Sequence, residues 1–313
     1  MLGKTAGGLF WMFRYLERSE NTARLVDAGF RIALTRSAHA EDEWASIIDS
    51  ASARHTFLEA GGKFEGPSVI NFLLRDRSNP SSVISVTESA RNNARLVRTA
   101  LTREVWEAVN ETWITLKELL ARPVRETELP GVLATIRKQS ALVRGAMVGT
   151  MLRNDIYNFA RMGTFVERAD NIARILDVKY YVLLPSVTLV GSTLDNVQWE
   201  TILRAASAER AFRWLYGGEV RPATIAEFLI LDGRMPRSLL YCLRKASANI
   251  GHLCTDYNIR PPSLTHALAM RDSLEDLSIE RIIDSGLHEF LTGFIRANNA
   301  LAAQVERDFR FSS

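Results

Sequence analysis

The sequence predicts an all-α fold, a single large helical bundle of about ten helices with an internally duplicated Glu-Arg helix. Three observations carry this. Apolar residues recur at helical spacing almost everywhere, and clear period-two alternation is rare. Breaks between periodic segments are short and marked by Gly and Pro. A stretch near the start, Tyr15-Leu16-Glu17-Arg18-Ser19-Glu20-Asn21-Thr22-Ala23-Arg24-Leu25-Val26-Asp27, returns 150 residues later as Phe165-Val166-Glu167-Arg168-Ala169-Asp170-Asn171-Ile172-Ala173-Arg174-Ile175-Leu176-Asp177.

Taken in order, Thr5 to about Ser37 reads as one long helix, with Gly7 and Gly8 weakening its first turn. Asp42 to Ala60 reads as a second, closed by Gly61-Gly62. The segment from Gly66-Pro67 to Phe72 is short and open to either reading. Asn79-Pro80 is a turn, after which Ser81 or Ser82 can cap a helix running to Leu101. That helix carries Glu88-Ser89-Ala90-Arg91-Asn92-Asn93-Ala94-Arg95, a degraded third copy of the opening stretch. Glu104 to Ala121 follows, then a loop from Pro123 to Pro130. Pro130 suits the first turn of a helix reaching about Asn154.

Ile156 to Leu184 holds the second copy of the stretch. Residues 185–193 are the most polar and small-residue-rich break, the expected structural midpoint of one domain spanning residues 1–313. Asp195 to Tyr216 and Ala223 to Leu231 are helical, and Asp232-Gly233-Arg234-Met235-Pro236 is a turn. Arg237 to Cys254, Ser263 to Leu277 and Ile279 to Phe309 complete the chain, with a break expected near Gly286.

Composition narrows the function classes. The chain has 313 residues, 47% hydrophobic and 24% charged, with a net charge of +3, an ordinary composition for a large buried core. The balance falls short of the basic stripe of a nucleic-acid binder. No apolar run reaches the length of a membrane span, and Arg14, Glu17, Arg18 and Glu20 interrupt any signal-peptide pattern. The expectation is a cytoplasmic protein with no nucleic-acid or membrane partner. Lysine occurs only at 4, 63, 117, 138, 179 and 245, so arginine supplies most of the 39 basic residues. Cys242 and Cys254, placed on one helix, lie about 18 Å apart at 1.5 Å per residue, too far for a disulfide. The six tryptophans sit at helical spacings among aliphatics and read as core or interface residues.

The recurrence is informative because the polar positions keep their identity while the aliphatic ones drift. Cores usually keep only size and hydrophobicity, and solvated faces vary freely. On a helical wheel Glu17, Asn21 and Arg24 share one arc, flanked by Glu20, Asp27 and Arg18. Three readings compete. The first is a solvated face with weak helix pairs such as Glu20–Arg24. The second is an inter-helix lock. Two antiparallel copies crossing near Asn21 and Asn171 would set Glu17 against Arg174 and Arg24 against Glu167, satisfying each other's buried charge. The third is a ligand or catalytic site, including an anion site lined by Arg18, Arg24, Arg168 and Arg174.

Di-metal bundles pair such carboxylates with a Glu-x-x-His partner, but no histidine lies three or four residues from Glu17, Glu20, Glu167 or Asp170. No metal site and no cofactor are expected. Walker, dinucleotide, zinc-spacing and Gly-x-Ser-x-Gly motifs are absent from the sequence. Arg237-Ser238, at a helix start after Met235-Pro236, could hold an anion, although a plain turn and cap explains them as well. No residue is assigned a catalytic role.

The opening Met1-Leu2-Gly3-Lys4-Thr5-Ala6 and Leu9-Phe10-Trp11-Met12-Phe13-Arg14-Tyr15-Leu16-Glu17-Arg18, the second Glu167-Arg168 copy and Pro236-Arg237-Ser238 resemble the alpha-E family of bacterial helical proteins. The resemblance spans essentially the whole chain. It implies a partnership with a circularly permuted ATP-grasp ligase, in a setting where transglutaminase-like proteases and a proteasome-like peptidase are neighbours. The implied chemistry is amide formation through an acyl-phosphate attacked by an amine. The expected role is an auxiliary subunit that binds the ligase or its peptide or amino-acid substrate. One alternative is an enzyme using Glu17 or Glu167 as acid or base, with Arg18 or Arg168 holding a carboxylate. Another is a homodimeric helical scaffold.

Overall fold

The computed structural model describes residues 1–35, 40–183, 193–217 and 221–311. They form 15 α-helices and no strand. The first seven are α1 (Gly3–Thr35), α2 (Ala40–Ser50), α3 (Arg54–Glu59), α4 (Gly66–Leu74), α5 (Val83–Leu96), α6 (Arg103–Leu119) and α7 (Leu129–Thr150). The rest are α8 (Asp155–Leu183), α9 (Thr193–Ala205), α10 (Glu209–Tyr216), α11 (Pro222–Leu231), α12 (Leu239–Tyr257), α13 (Pro262–Glu275), α14 (Ile279–Asp284) and α15 (Leu287–Asp308).

The count exceeds ten for a local reason. Two segments read as single helices are each broken by a serine in the left-handed region, Ser52 (φ 53°) after α2 and Ser207 (φ 52°) after α9. Side chains rarely adopt that conformation, so each serine stops its helix. Gly286 (φ 95°) separates α14 from α15. The short Gly66–Phe72 segment is helical, with Pro67 in its first turn. Residues 185–192 of the expected midpoint lie outside the described residues.

The two copies of the Glu-Arg stretch lie on α1 and α8, which pack together at the centre. They run in the same direction. The N-terminal ammonium lies 3.9 Å from Asp155 at the start of α8. Phe10 and Phe159 both pack on Phe311. Arg14 reaches Glu167, and Arg168 reaches Glu17. The antiparallel crossing expected from the sequence is therefore wrong. A helical wheel fixes which residues share a face, not the direction in which a partner helix runs. Close approach depends on Gly163, where an added Cβ would lie 2.2 Å from the Phe10 carbonyl oxygen.

The duplication extends beyond these two helices. α1 packs on α5 and α7, and α8 packs on the corresponding α12 and α15. α2 and α9 each bridge both central helices. α6 pairs with α7 as α13 pairs with α15. Ser82 caps α5 by accepting from Ser85 N, and Ser238 caps α12 by accepting from Tyr241 N. Ser140 Oγ on α7 donates to the Leu16 carbonyl at 3.4 Å, while Asn298 Nδ2 on α15 donates to the Val166 carbonyl at 2.9 Å. Two half-chains thus face one another about a pseudo-twofold axis running along α1 and α8. Their buried apolar side chains form one cluster that includes Phe10, Met12, Phe159 and Phe165.

Candidate functional site: paired Glu-Arg centres

Along the recurring stretch, neighbouring helices cover the polar faces of α1 and α8 as well as the apolar ones. Glu17, Glu20, Asn21, Arg24, Glu167, Arg168, Asp170 and Asn171 are all less than a tenth exposed. A solvated face is excluded. The two copies are ion-paired across the helices, but not through the pairs expected of an antiparallel lock.

In a parallel pair, equivalent residues lie side by side. Each Glu therefore meets the Arg one position on in the other copy. Arg168 grips Glu17 with two hydrogen bonds, Nε to Oε1 at 2.7 Å and Nη2 to Oε2 at 3.0 Å. Arg18 grips Glu167 in the same way, at 2.6 and 2.9 Å. Such bidentate pairs are the strongest form of side-chain ion pair.

The expected Glu17–Arg174 and Arg24–Glu167 pairs do not form. Arg24 instead binds Glu20 on its own helix (2.6 Å) and reaches the end of α9, donating to the Ala205 carbonyl (2.8 Å) and Ser207 Oγ (2.7 Å). Arg174 repeats this. It binds Asp170 (2.6 Å) and donates to the Ser50 carbonyl (3.1 Å) and Ser52 Oγ (2.6 Å) at the end of α2. Each central arginine thereby ties down one left-handed serine and a helix-end carbonyl left without an intrahelical partner.

The two centres differ in how they are completed. In the first, Arg237 donates to Glu20 (2.5 Å) and Glu17 (3.4 Å), and Arg144 of α7 donates to Glu20 (2.6 Å) and Glu17 (3.2 Å). The Arg237-Ser238 pair is thus not an open anion site. The guanidinium of Arg237 is spent on two carboxylates. Ser238 Oγ caps α12 and donates to the Asp232 carbonyl at 2.6 Å. In the second centre the third cation is Arg14, whose Nε donates to Glu167 at 2.9 Å and whose guanidinium lies over Trp11.

Sequence reasoning missed Arg14 and Arg144. Arg14 precedes the recurring stretch, where its counterpart is Thr164, and Arg144 sits on a helix with no Glu-Arg motif. The third copy on α5 does not join either centre. Its Glu88 pairs with Arg77 at the surface.

Electrostatics follow from this crowding. Burial alone would raise the Glu17 carboxyl, but Arg168, Arg237 and Arg144 hold it well below the usual carboxylate range. Burial likewise opposes ionisation of Glu167, yet Arg18 and Arg14 bring it down to about 2. Glu20 is lowered against burial and the neighbouring Glu17 charge, chiefly by Arg237. Burial, together with the adjacent Arg24 charge, brings Arg237 down to about 9. Both cysteines are free thiols on α12, and burial pushes Cys242 up to about 12. Of the tryptophans expected in the core or at an interface, Trp44, Trp113 and Trp199 are buried and Trp214 is almost fully exposed.

The first centre encloses a cavity of only about 10 Å³. Against the second lies a cavity of about 240 Å³, lined by Arg14, Arg18, Asn21, Asp170, Asn171 and Arg174 among others. Among the described residues no group of three His, Cys, Asp or Glu could hold a metal ion. No helix among them is long and apolar enough to cross a membrane.

The Alpha-E family, described as a predicted alpha-helical domain with a conserved ER motif, matches residues 1–309. Uncharacterized proteins of Mycobacterium bovis and Mycobacterium tuberculosis are 23% identical to the chain over 263 residues. The alignment covers 78% of this chain and 29% of each relative, so the match spans under a third of their length. No solved structure matches the chain.

Proposed function

The chain belongs to the Alpha-E family, and from that premise we propose that it is a non-catalytic helical subunit of an ATP-grasp amide ligase system. In this reading it works in the cytoplasm and holds the peptide or amino-acid substrate while the ligase binds ATP and forms the acyl-phosphate. The observation that carries the reading is the contrast between the two centres. One is filled by its own guanidinium groups, and the other borders a cavity whose wall is charged and hydrogen-bonding. Such a wall suits recognition of a small polar ligand.

The carboxylates are poor candidates for proton transfer. Glu17 and Glu167 are each held ionised by several guanidinium groups, far from the near-neutral pKa that general acid–base catalysis favours. The long mycobacterial relatives, in which the matched region is joined to a much larger polypeptide, fit a domain that acts beside others.

The test is reconstitution with a circularly permuted ATP-grasp ligase from the same genome, with amide product followed by mass spectrometry. Omitting this chain is expected to cut product formation at least tenfold or to change which amine is incorporated. An unchanged rate and product would overturn the reading.

A further inference from the structure

The pseudo-twofold relation shows what the second centre lacks relative to the first. Pro80-Ser81-Ser82 stands before α5 as Pro236-Arg237-Ser238 stands before α12, and both second serines cap their helices. Ser81 is therefore the counterpart of Arg237. The hydrogen bonds of Ser140 and Asn298 to equivalent carbonyls align α7 with α15, which makes Ala302 the counterpart of Arg144. Arg14 supplies the further cation that Arg144 gives to Glu17. At the position of Arg237 the second centre has Ser81, which is too short to supply a guanidinium and lies on the wall of the 240 Å³ cavity.

That wall also carries unused hydrogen-bonding capacity of both kinds. Asn21 and Asn171 line the cavity, and their Oδ1 atoms, buried behind its wall, have no hydrogen-bond partner among the described residues. A buried acceptor left in that state is costly unless a donor reaches it. Asp170 bonds only Arg174 among the described residues, whereas its counterpart Glu20 meets three guanidinium groups. On the donor side, Arg14 spends only Nε on Glu167, and Arg18 spends Nε and Nη2. Their remaining N–H groups have no partner among the described residues, and a guanidinium fork matches a carboxylate.

We propose that this cavity binds a zwitterionic amino acid. Its cationic nitrogen group lies against Asp170, beside Asn21 and Asn171, at the position that corresponds to Arg237 in the other centre. Its carboxylate takes the spare N–H groups of Arg14 and Arg18. A lone cation would leave the arginine donors unmet, and a lone anion would leave Asp170 with Arg174 as its one cationic partner among the described residues. The proposal deepens the substrate-binding reading above, and the two fail separately: a chain that binds no amino acid yet still stimulates the ligase refutes this site alone.

The experiment is calorimetric titration of the full chain with each of the twenty amino acids. Agmatine serves as a cation-only probe, and acetate and phosphate as anion-only probes. At least one amino acid is expected to bind at least tenfold more tightly than any of the three probes. Ser81→Arg, which restores the Arg237 arrangement, is expected to abolish that binding with no loss of melting temperature. Asn171→Leu gives a second, independent block should Ser81→Arg fail to fold, and Arg14→Gln is expected to weaken binding at least tenfold. The proposal is overturned if no amino acid binds, if acetate or phosphate binds as tightly as the best of them, or if a folded Ser81→Arg or Asn171→Leu chain binds unchanged.

Discussion

Glu17 sits 2% exposed among three guanidinium groups, and Glu167 sits 4% exposed between two. Removing one side of such a buried pair typically costs about 3–5 kcal/mol, because the opposite charge stays buried. The pH dependence follows from the same contacts. Glu167 has a folded pKa of about 2 against an ordinary value of 4.5. Its contribution to stability is therefore complete above the unfolded value and is lost as the pH falls from about 4.5 towards 2. A Glu167→Gln protein starts less stable and is expected to show a flatter decline in melting temperature between pH 5 and pH 2.5. Parallel curves for the two proteins would count against an ionised, arginine-held Glu167. At this scale the sequence was readable where identity recurred: Glu17, Arg18, Glu167 and Arg168 all lie in the lock. Arg14 and Arg144 were not readable, since neither arginine recurs at its equivalent position and only the fold brings them to the carboxylates.

Helix direction is settled by close backbone approach. Gly163 permits α8 to rest on the Phe10 carbonyl, so Gly163→Ala must move one helix and is expected to destabilise by about 1–3 kcal/mol, as overpacked cores do. Gly145 on α7 has open space where a Cβ would go, so Gly145→Ala is expected to stabilise by about 0.5–1 kcal/mol through helix propensity. Urea unfolding of both variants checks the pair, and equal effects would contradict the packing described. Helix positions were largely legible from apolar spacing and from Gly and Pro. The interruptions at Ser52 and Ser207 were not, because nothing local marks a serine for the left-handed region. Those serines are held there by Arg174 and Arg24, which come from distant parts of the chain.

On the scale of the molecule, neither half completes its own charge pairing. Residues 1–153 keep Glu17 but lose Arg168 and Arg237, and residues 154–313 keep Glu167 but lose Arg14 and Arg18. Each fragment alone is expected to remain largely unfolded by circular dichroism. An equimolar mixture is expected to recover helix and a cooperative melt, whereas a fragment that folds alone would contradict the interdependence. The all-helical class was plain from periodicity. The full duplication was not, because only one stretch keeps its spacing at 150 residues, while later elements such as Pro80 and Pro236 lie 156 residues apart.

The reciprocal lock between parallel helices is tested most directly by double-mutant cycles on urea unfolding, using Glu17→Gln with Arg168→Met and Glu17→Gln with Arg174→Met. The structure predicts a coupling of at least about 2 kcal/mol for Glu17 with Arg168 and less than about 0.5 kcal/mol for Glu17 with Arg174. A negligible first coupling, or a large second one, would contradict it.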